Sequence, residues 1–139
     1  MLVRLIYASR AAGDVNAELL DAILRSSRQN NPAIGVTGVL CYSGGMFVQV
    51  LEGSRSAVSS LYNVIVRDPR HEKVELLHFE EIVERHFSGW TMGQVNLSKV
   101  NACVLLKYSA RAEFNPFEMS GSTVMRLLDD LIATAAISK

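Results

Sequence analysis

The amino-acid sequence predicts an α+β domain, a five-stranded mixed sheet with two helices on one face and C-terminal helices covering the other. Two observations predict this fold class. Strand-type and helix-type apolar periodicities follow one another in the order βαββαββ, which is typical of ferredoxin-like sheets. Both faces of the central strands are apolar, and apolar faces of this size are normally covered by other elements.

A glycine pair, Gly44-Gly45, marks the centre of the predicted sheet. Runs rich in aromatic and β-branched residues flank this pair, which predicts a tight β-hairpin. Side chains alternate along a strand, so Phe47, Gln49 and Leu51 share one face of the second run. Gln49 is a primary amide in an otherwise apolar strand and should have hydrogen-bond partners, either in the core or on a bound ligand.

The other elements are predicted from periodicity, capping residues and prolines. Strands are expected at residues 2–8, 74–83 and 90–97, and helices from Asp14 or Asn16 to about residue 29, from Ser54 or Ser56 to Asp68-Pro69, and over 122–137. We expect the first and third strands to be central neighbours that run parallel, with both crossover helices on one side. The last helix should cover the opposite face, so residues 1–98 form the main domain and residues 99–139 a helical extension.

Composition and charge narrow the class of protein. The 139-residue chain has 14 basic and 14 acidic residues, which gives no reason to expect nucleic acid or a membrane surface as a partner. The N-terminus does not form a signal peptide and no apolar run reaches membrane-spanning length, so we expect a cytoplasmic protein. Cys41 and Cys103 are isolated and the histidines are scattered, so no metal site is expected. The sequence contains no recognised catalytic motif, and an enzyme is the weaker hypothesis.

Several polar side chains are predicted to converge on the helix side of the sheet. They are Tyr7, Gln49, Ser27 and Asn31, with Arg67 and Asp68 closing the second helix at the same end of the domain. Each has an ordinary structural explanation, such as a strand-end aromatic for Tyr7 or a helix C-cap for Asn31. Together they would form a cleft suited to a flat heteroaromatic ligand with amide-like edges.

Four stretches of sequence carry a more specific resemblance. They are LIYAS at 5–9, SSRQNNPAIGVTGVLCYSGGMFVQVLEG at 26–53, RDPRH at 67–71 and FSGWTM at 87–92. In this order, and over roughly the first hundred residues, the chain resembles the BLUF family of flavin-binding blue-light sensors, in particular its short, BlrB-type members.

The resemblance implies roles for individual residues. Tyr7 matches the family's redox-active tyrosine, and Gln49 matches the glutamine between that tyrosine and the flavin ring. Asn31 matches the asparagine that hydrogen-bonds the C4=O/N3 edge of the ring. Three further matches are Ser27 at the serine preceding that asparagine, Asn30 at a neighbouring ring- or chain-contacting position, and Asp68 at an acidic residue near the ribityl chain.

The resemblance offers alternatives at two places, the contacts to the flavin phosphates and the residue beside Gln49. Where some relatives have a basic residue one turn before Asp68, this chain has Val64, which leaves Arg67 and Arg70 as candidates for the flavin phosphates. Trp90 and Met92 match a semi-conserved pair on the fifth strand. Strand alternation would place both on one face, so that either could approach Gln49.

The function implied by the resemblance is that of a blue-light photoreceptor, not an enzyme. It would bind FAD non-covalently, with FMN or riboflavin tolerated because recognition is concentrated on the ring. Light would drive electron and proton transfer from Tyr7, followed by a rearrangement of Gln49 and a red shift of the flavin. The change would pass through the fifth strand to the C-terminal segment and on to a separate protein partner. A homodimer through the sheet is one candidate assembly. The alternatives are a ligand-free or metabolite-binding regulatory module and a small flavin enzyme.

Overall fold

The computed structural model describes residues 1–13 and 17–133. The predicted helix cap at Asp14 or Asn16 and the predicted helix end near Ile137 lie outside the described residues.

The described residues form five strands, four α-helices and three single-turn 3₁₀ segments. The strands are β1 (Leu2–Ala11), β2 (Thr37–Ser43), β3 (Met46–Ser54), β4 (His71–Ile82) and β5 (Gly93–Asn96). The helices are α1 (Ala17–Asn30), α2 (Arg55–Val66), α3 (Ala102–Tyr108) and α4 (Gly121–Ala133). The predicted element order is therefore confirmed, with β5 shorter than the eight residues expected.

The strands form one mixed sheet in the order β4-β1-β3-β2-β5, and the predicted ferredoxin-like fold class is confirmed. β1 and β3 are central neighbours, but they pair antiparallel, so the prediction of a parallel pair was wrong. The reason is the hairpin. Because β3 returns directly from β2, it runs antiparallel to β2, and the α1 crossover makes β1 and β2 point the same way.

The predicted hairpin turn has the backbone geometry that its glycines allow. Gly44 and Gly45 have φ values of 56° and 81°, and β2 pairs with β3 up to Ser43 and Met46. Two consecutive positive φ angles suit the right-handed twist of the flanking strands, and glycine adopts them without steric cost. The turn fixes the register of β3 and thereby the face on which Gln49 lies.

The sheet separates two apolar clusters. The cluster on the side of α1 and α2 contains Val3, Leu5, Tyr7, Ile23, Leu24, Val36, Leu40, Phe47, Leu51, Val58 and Met92. The cluster on the far side includes Ile6, Val48 and Val50 from the sheet, and Leu105, Val124, Leu127, Leu128 and Leu131 from α3 and α4. The C-terminal helices thus cover the far face, as the sequence predicts.

Helix α4 approaches the sheet very closely at its first residue. An ideal Cβ built on Gly121 would lie 2.4 Å from the Cβ of His78 on β4. Glycine is therefore the residue that lets the helix begin at this point, and the apolar spacing from Val124 to Leu131 then keeps one stripe of α4 on the sheet.

The segment that precedes β5 differs from the prediction. Trp90 and Met92 lie before the strand begins at Gly93, so their side chains do not follow strand alternation. Trp90 packs in the far-side cluster, with its ring 5.3 Å from that of Phe87, whereas Met92 packs in the helix-side cluster. The prediction that both residues share one face was therefore wrong.

The two cysteines differ in burial. Cys41 is buried, Cys103 is exposed and both are free, and burial raises the pKa of the Cys41 thiol to about 12. Within residues 1–13 and 17–133, no three His, Cys, Asp or Glu side chains are grouped as a metal site would require. None of the described helices combines the length and the hydropathy of a membrane span.

Candidate functional site

A cavity of about 110 Å³ lies between α1 and α2 above the sheet. Apolar side chains form part of its wall: Ile23 from α1, and Leu61, Val64 and Ile65 from α2. Its polar lining contains every predicted cofactor-binding residue except Arg67: Tyr7, Ser27, Asn30, Asn31, Gln49, Asp68 and Arg70. The structure therefore brings together residues that are widely separated in sequence, at the place where the helices meet the sheet.

Tyr7 and Gln49 form the floor of this cavity. They are directly opposite each other in the register of β1 and β3, and the Tyr7 phenol donates a hydrogen bond to Oε1 of Gln49. Both side chains are buried, with exposed fractions of 1% and 3%. Burial raises the pKa of the Tyr7 phenol, and the nearby Asp68 carboxylate raises it further, so Tyr7 is a neutral donor at ordinary pH.

The other end of the Gln49 amide contacts Met92. Nε2 of Gln49 donates to the Met92 sulfur across 3.3 Å, and a thioether sulfur is a weak acceptor. Met92 is therefore the member of the predicted pair that reaches Gln49, whereas Trp90 lies across the sheet. One amide thus bridges a strong donor and a weak acceptor.

Asn31 contributes a buried side-chain amide, and hydrogen bonds hold the backbone of this residue in place. Its N–H donates to the Ser27 carbonyl at 2.8 Å, and its carbonyl accepts from the N–H groups of Ile34 and Val36. Its side chain is 2% exposed, lines the cavity and makes no capping hydrogen bond to the following 3₁₀ turn. Asn31 thus places in the cavity lining a primary amide that can both donate and accept hydrogen bonds.

Asp68 and Arg70 form a closely hydrogen-bonded pair after α2. The Asp68 carboxylate accepts from Nε of Arg70 and, at 2.6 Å, from a terminal guanidinium nitrogen, as well as from the Arg70 backbone N–H. These bonds hold the pKa of Asp68 below its ordinary value and raise that of Arg70. Arg67 is exposed and lies outside the cavity lining, so of the two basic candidates Arg70 is the one at the cavity.

Two residues with contacts at the site were not recognised from sequence. His71 lines the cavity, hydrogen-bonds Ser9 through Nδ1 at 3.0 Å, and has its pKa lowered by burial. Arg28 donates from a terminal guanidinium nitrogen to the Met92 carbonyl at 3.1 Å and so ties α1 to the segment before β5. Both residues lie inside stretches that carry the family resemblance, RDPRH and SSRQN. That resemblance was the sequence feature from which they could have been identified as site residues.

The lining suits a flavin, although the cavity itself is small. Buried amides can bind the polar edge of the ring, and the aliphatic wall from α1 and α2 can contact its faces. Ligand pockets usually measure about 300–1,000 Å³. This cavity measures about 110 Å³ and is therefore smaller than such pockets.

Fold and site together define a small α+β module that has a cleft between two helices, with a hydrogen-bonded tyrosine–glutamine pair at its floor. The family profile described as sensors of blue-light using FAD, BLUF, matches residues 2–93. The chain belongs to the BLUF family.

Individual relatives agree with this assignment. The photoactivated adenylate cyclase subunit beta of Euglena longa is 39% identical over 92 residues, which are 66% of this chain and 11% of that protein. The structure of BlsA in its photo-activated state aligns with a TM-score of 0.82, 32% identity and 95% coverage of each chain. The dark-state structure of BlrB aligns with a TM-score of 0.77, 33% identity and 96% coverage of each chain.

These findings confirm the family and the fold class expected from the sequence. BLUF domains bind a flavin and sense blue light, which agrees with a flavin ligand and a sensory function. The chain spans only about a tenth of the length of the cyclase relative, so the activity of that whole protein is not transferred to this chain.

Proposed function

We propose that this protein is a blue-light photoreceptor that binds FAD non-covalently between α1 and α2. The observation that carries the proposal is the hydrogen bond from Tyr7 to Gln49 at the base of the cleft, with Met92 as the second partner of the same amide. This arrangement supplies a donor and a rotatable amide next to the ring.

The residues that would hold the flavin follow from their positions in the cavity lining. Asn31, with Ser27 and Asn30 from the same end of α1, would bind the polar edge of the ring. Asp68 and Arg70 would contact the ribityl chain and the phosphates, with Arg67 as the more exposed alternative. Because most of these contacts are to the ring, FMN or riboflavin would also bind, and FAD is the expected natural ligand.

The photochemistry rests on what Tyr7 and Gln49 can do. A bound flavin would supply a ring that blue light can excite and that can then accept an electron. Tyr7 would pass an electron and its phenolic proton to the excited ring and would take both back as the ring recovers. Burial raises the pKa of the phenol, so the proton would not leave without the electron. The Gln49 amide has two hydrogen-bonding arrangements of similar energy, so a brief change at Tyr7 can shift it from one to the other. A different hydrogen bond to the flavin carbonyl then produces the red shift.

The rearrangement at Gln49 would be transmitted through the segment before β5 to the C-terminal helices. Met92 contacts Gln49, and the strand that follows it packs in the cluster that α3 and α4 cover. In this proposal residues 1–98 bind flavin and residues 99–139 present the change to a separate protein in the cytoplasm. The same proposal includes a homodimer, formed through the sheet, as a candidate assembly of the protein.

The test is an absorption spectrum of the purified protein before and after a blue flash. We expect flavin bands that move to the red and recover in the dark, and we expect Gln49→Leu to retain flavin without the shift. Extraction of the bound flavin identifies it as FAD, FMN or riboflavin. A colourless protein that refuses added FAD, or a normal shift in Gln49→Leu, would contradict the proposal.

A further inference from the structure

One fully buried carboxylate ties β3 to the segment between β4 and β5. Glu52 is 0% exposed and pairs with Arg4, whose terminal nitrogen lies 2.7 Å from Oε2. Glu52 also accepts from the backbone N–H of Phe87 at 2.7 Å and from that of His86 at 3.0 Å. Burying a charge is costly unless it is paired and hydrogen-bonded, and this carboxylate is both.

All of these side-chain contacts of Glu52 are to donors. Oε1 accepts from the two backbone N–H groups, and Oε2 accepts from Nε and the terminal nitrogen of Arg4 and from His86 N–H. A glutamine at this position would turn its NH₂ group either toward Arg4 or toward the backbone N–H groups. In either orientation the NH₂ group faces another donor. The glutamine would therefore lose its hydrogen bonds either to Arg4 or to the backbone N–H groups of His86 and Phe87.

The segment that Glu52 holds ends at the partner of Gln49. Its Trp90 carbonyl accepts from Gly38 N–H at 3.1 Å, and the Met92 carbonyl accepts from Arg28. The Met92 sulfur then accepts from Gln49, which lies on the same strand as Glu52. β3 therefore contacts this segment twice, through Glu52 on the far face and through Gln49 on the helix face.

We propose that Glu52 is a positioning residue of the photoswitch, which holds residues 86–92 against β3 so that Met92 stays in contact with Gln49. The inference rests on the proposed function, since it concerns how the Gln49 rearrangement is biased. Glu52 is not among the residues that line the cavity, and in this proposal it acts through Met92.

The experiment compares Glu52→Gln with Glu80→Gln in the full flavin-loaded chain. Glu80 is the other carboxylate bonded to Arg4, at 2.7 Å, and it is 42% exposed, so its substitution is a matched control that leaves the Glu52 contacts in place. The readout is the rate of dark recovery of the red-shifted band. We expect Glu52→Gln to change this rate by about threefold or more and Glu80→Gln to leave it near the wild-type rate.

A double variant tests whether Glu52 acts through Met92. If it does, Glu52→Gln combined with Met92→Ala recovers at the rate of Met92→Ala alone, because the partner of Gln49 is already absent. Independent, additive changes in the two single variants would overturn the inference, as would a wild-type recovery rate in flavin-loaded Glu52→Gln. A wild-type protein that shows no red shift would overturn the proposed function and this inference with it.

If Glu52→Gln does not retain flavin, a milder variant tests the same inference. Glu52→Asp keeps the charge beside Arg4 but withdraws the carboxylate from the backbone N–H groups. We expect faster hydrogen exchange at the Phe87 amide together with altered dark recovery. Faster exchange at Phe87 with a wild-type recovery rate would overturn the inference.

Discussion

Tyr7 and Gln49 lie opposite each other on antiparallel strands, and the phenol donates to Oε1 of the amide. Directly opposed side chains in an antiparallel pair have Cβ atoms about 4.5–5.5 Å apart, so sheet register alone brings the two polar groups together. A slip of one residue would move Gln49 to the far face, among apolar side chains of α3 and α4. The contact between Tyr7 and Gln49 thus depends on the register of β1 against β3.

Tyr7→Phe should retain flavin but lose the red shift, because the phenyl ring keeps the packing and has no hydroxyl to give. The variant also leaves Oε1 of Gln49 without its donor, which costs on the order of 1–3 kcal/mol of unfolding free energy. Light-minus-dark spectra and thermal unfolding measure the two effects. Tyr62→Phe is the control, since this ring lies 5.8 Å from that of Tyr7 and Gln49 keeps its partner. A normal red shift in Tyr7→Phe would exclude the proposed mechanism.

The sequence predicted the floor of the site because strand alternation is a local rule. It placed Gln49 on the same face as Phe47 and Leu51, and all three lie on the helix side or in the cavity lining. The same rule failed for Trp90 and Met92, because it holds only for extended backbone and both residues precede β5. Which of them reaches Gln49 depends on the loop path, and neither periodicity nor composition defines that path.

Asn31→Ala should weaken flavin binding by about tenfold, which corresponds to about 1.4 kcal/mol. The side chain is buried, lines the cavity and is not used as a cap, so its loss affects the ligand more than the helix end. Gln29→Ala is the matched control, because Gln29 is an exposed residue at the end of the same helix and does not line the cavity. Titration of the flavin-free protein with FAD gives both dissociation constants. Equal effects in the two variants would argue against a specific contact by Asn31.

The Asp68–Arg70 pair predicts a pH dependence of stability. The pKa of Asp68 in the folded protein lies below its ordinary value of 3.8, mainly because Arg70 donates to the carboxylate. The pair therefore stabilises the fold fully above pH 3.8, and this contribution is lost as the pH falls toward the lower folded pKa. Asp68→Asn should unfold at a lower temperature than the wild type near pH 6, and the difference should narrow below about pH 4.

The size of this effect is limited by solvent, because Arg70 is about one-third exposed. Exposed ion pairs contribute about 0–1 kcal/mol. In an Arg70→Gln background the further change Asp68→Asn should have little effect at either pH. A difference that widens on acidification would show that another group controls the titration.

The contact between His71 and Ser9, which the sequence did not reveal, depends on long-range strand register. His71 is buried against Ser9 because β4 pairs with β1, and this pairing contains irregularities between Ile6 and Tyr7 and between Ala8 and Arg10. Each shift in register changes which side chain points to the cavity. Nothing in the local pattern of β4 specifies where such shifts occur.

Gly121→Ala should destabilise the protein by about 1–3 kcal/mol, the usual cost of forcing extra volume into a packed contact. The new methyl group would lie 2.4 Å from the Cβ of His78, so the start of α4 would have to shift away from β4. Gly89→Ala is the control, because a Cβ there meets no atom within 4 Å. Thermal unfolding of both variants measures the difference, and equal midpoints would mean that α4 docks elsewhere in solution.

Truncation after Ser98 tests whether the C-terminal helices are needed to cover the sheet. The truncated chain would expose the far-side cluster, including Ile6, Val48 and Val50, as one contiguous apolar surface. Surfaces of this kind drive association, so we expect dimers or aggregates in light scattering, with flavin still bound because the cavity lies on the other face. A matched chain ending at Ala133 keeps α4 and should match the full-length chain in assembly state. A truncated chain that stays monomeric, and whose flavin bands shift to the red and recover as in the full chain, would contradict this prediction. Helices α3 and α4 would then serve the output and not the stability of the sheet.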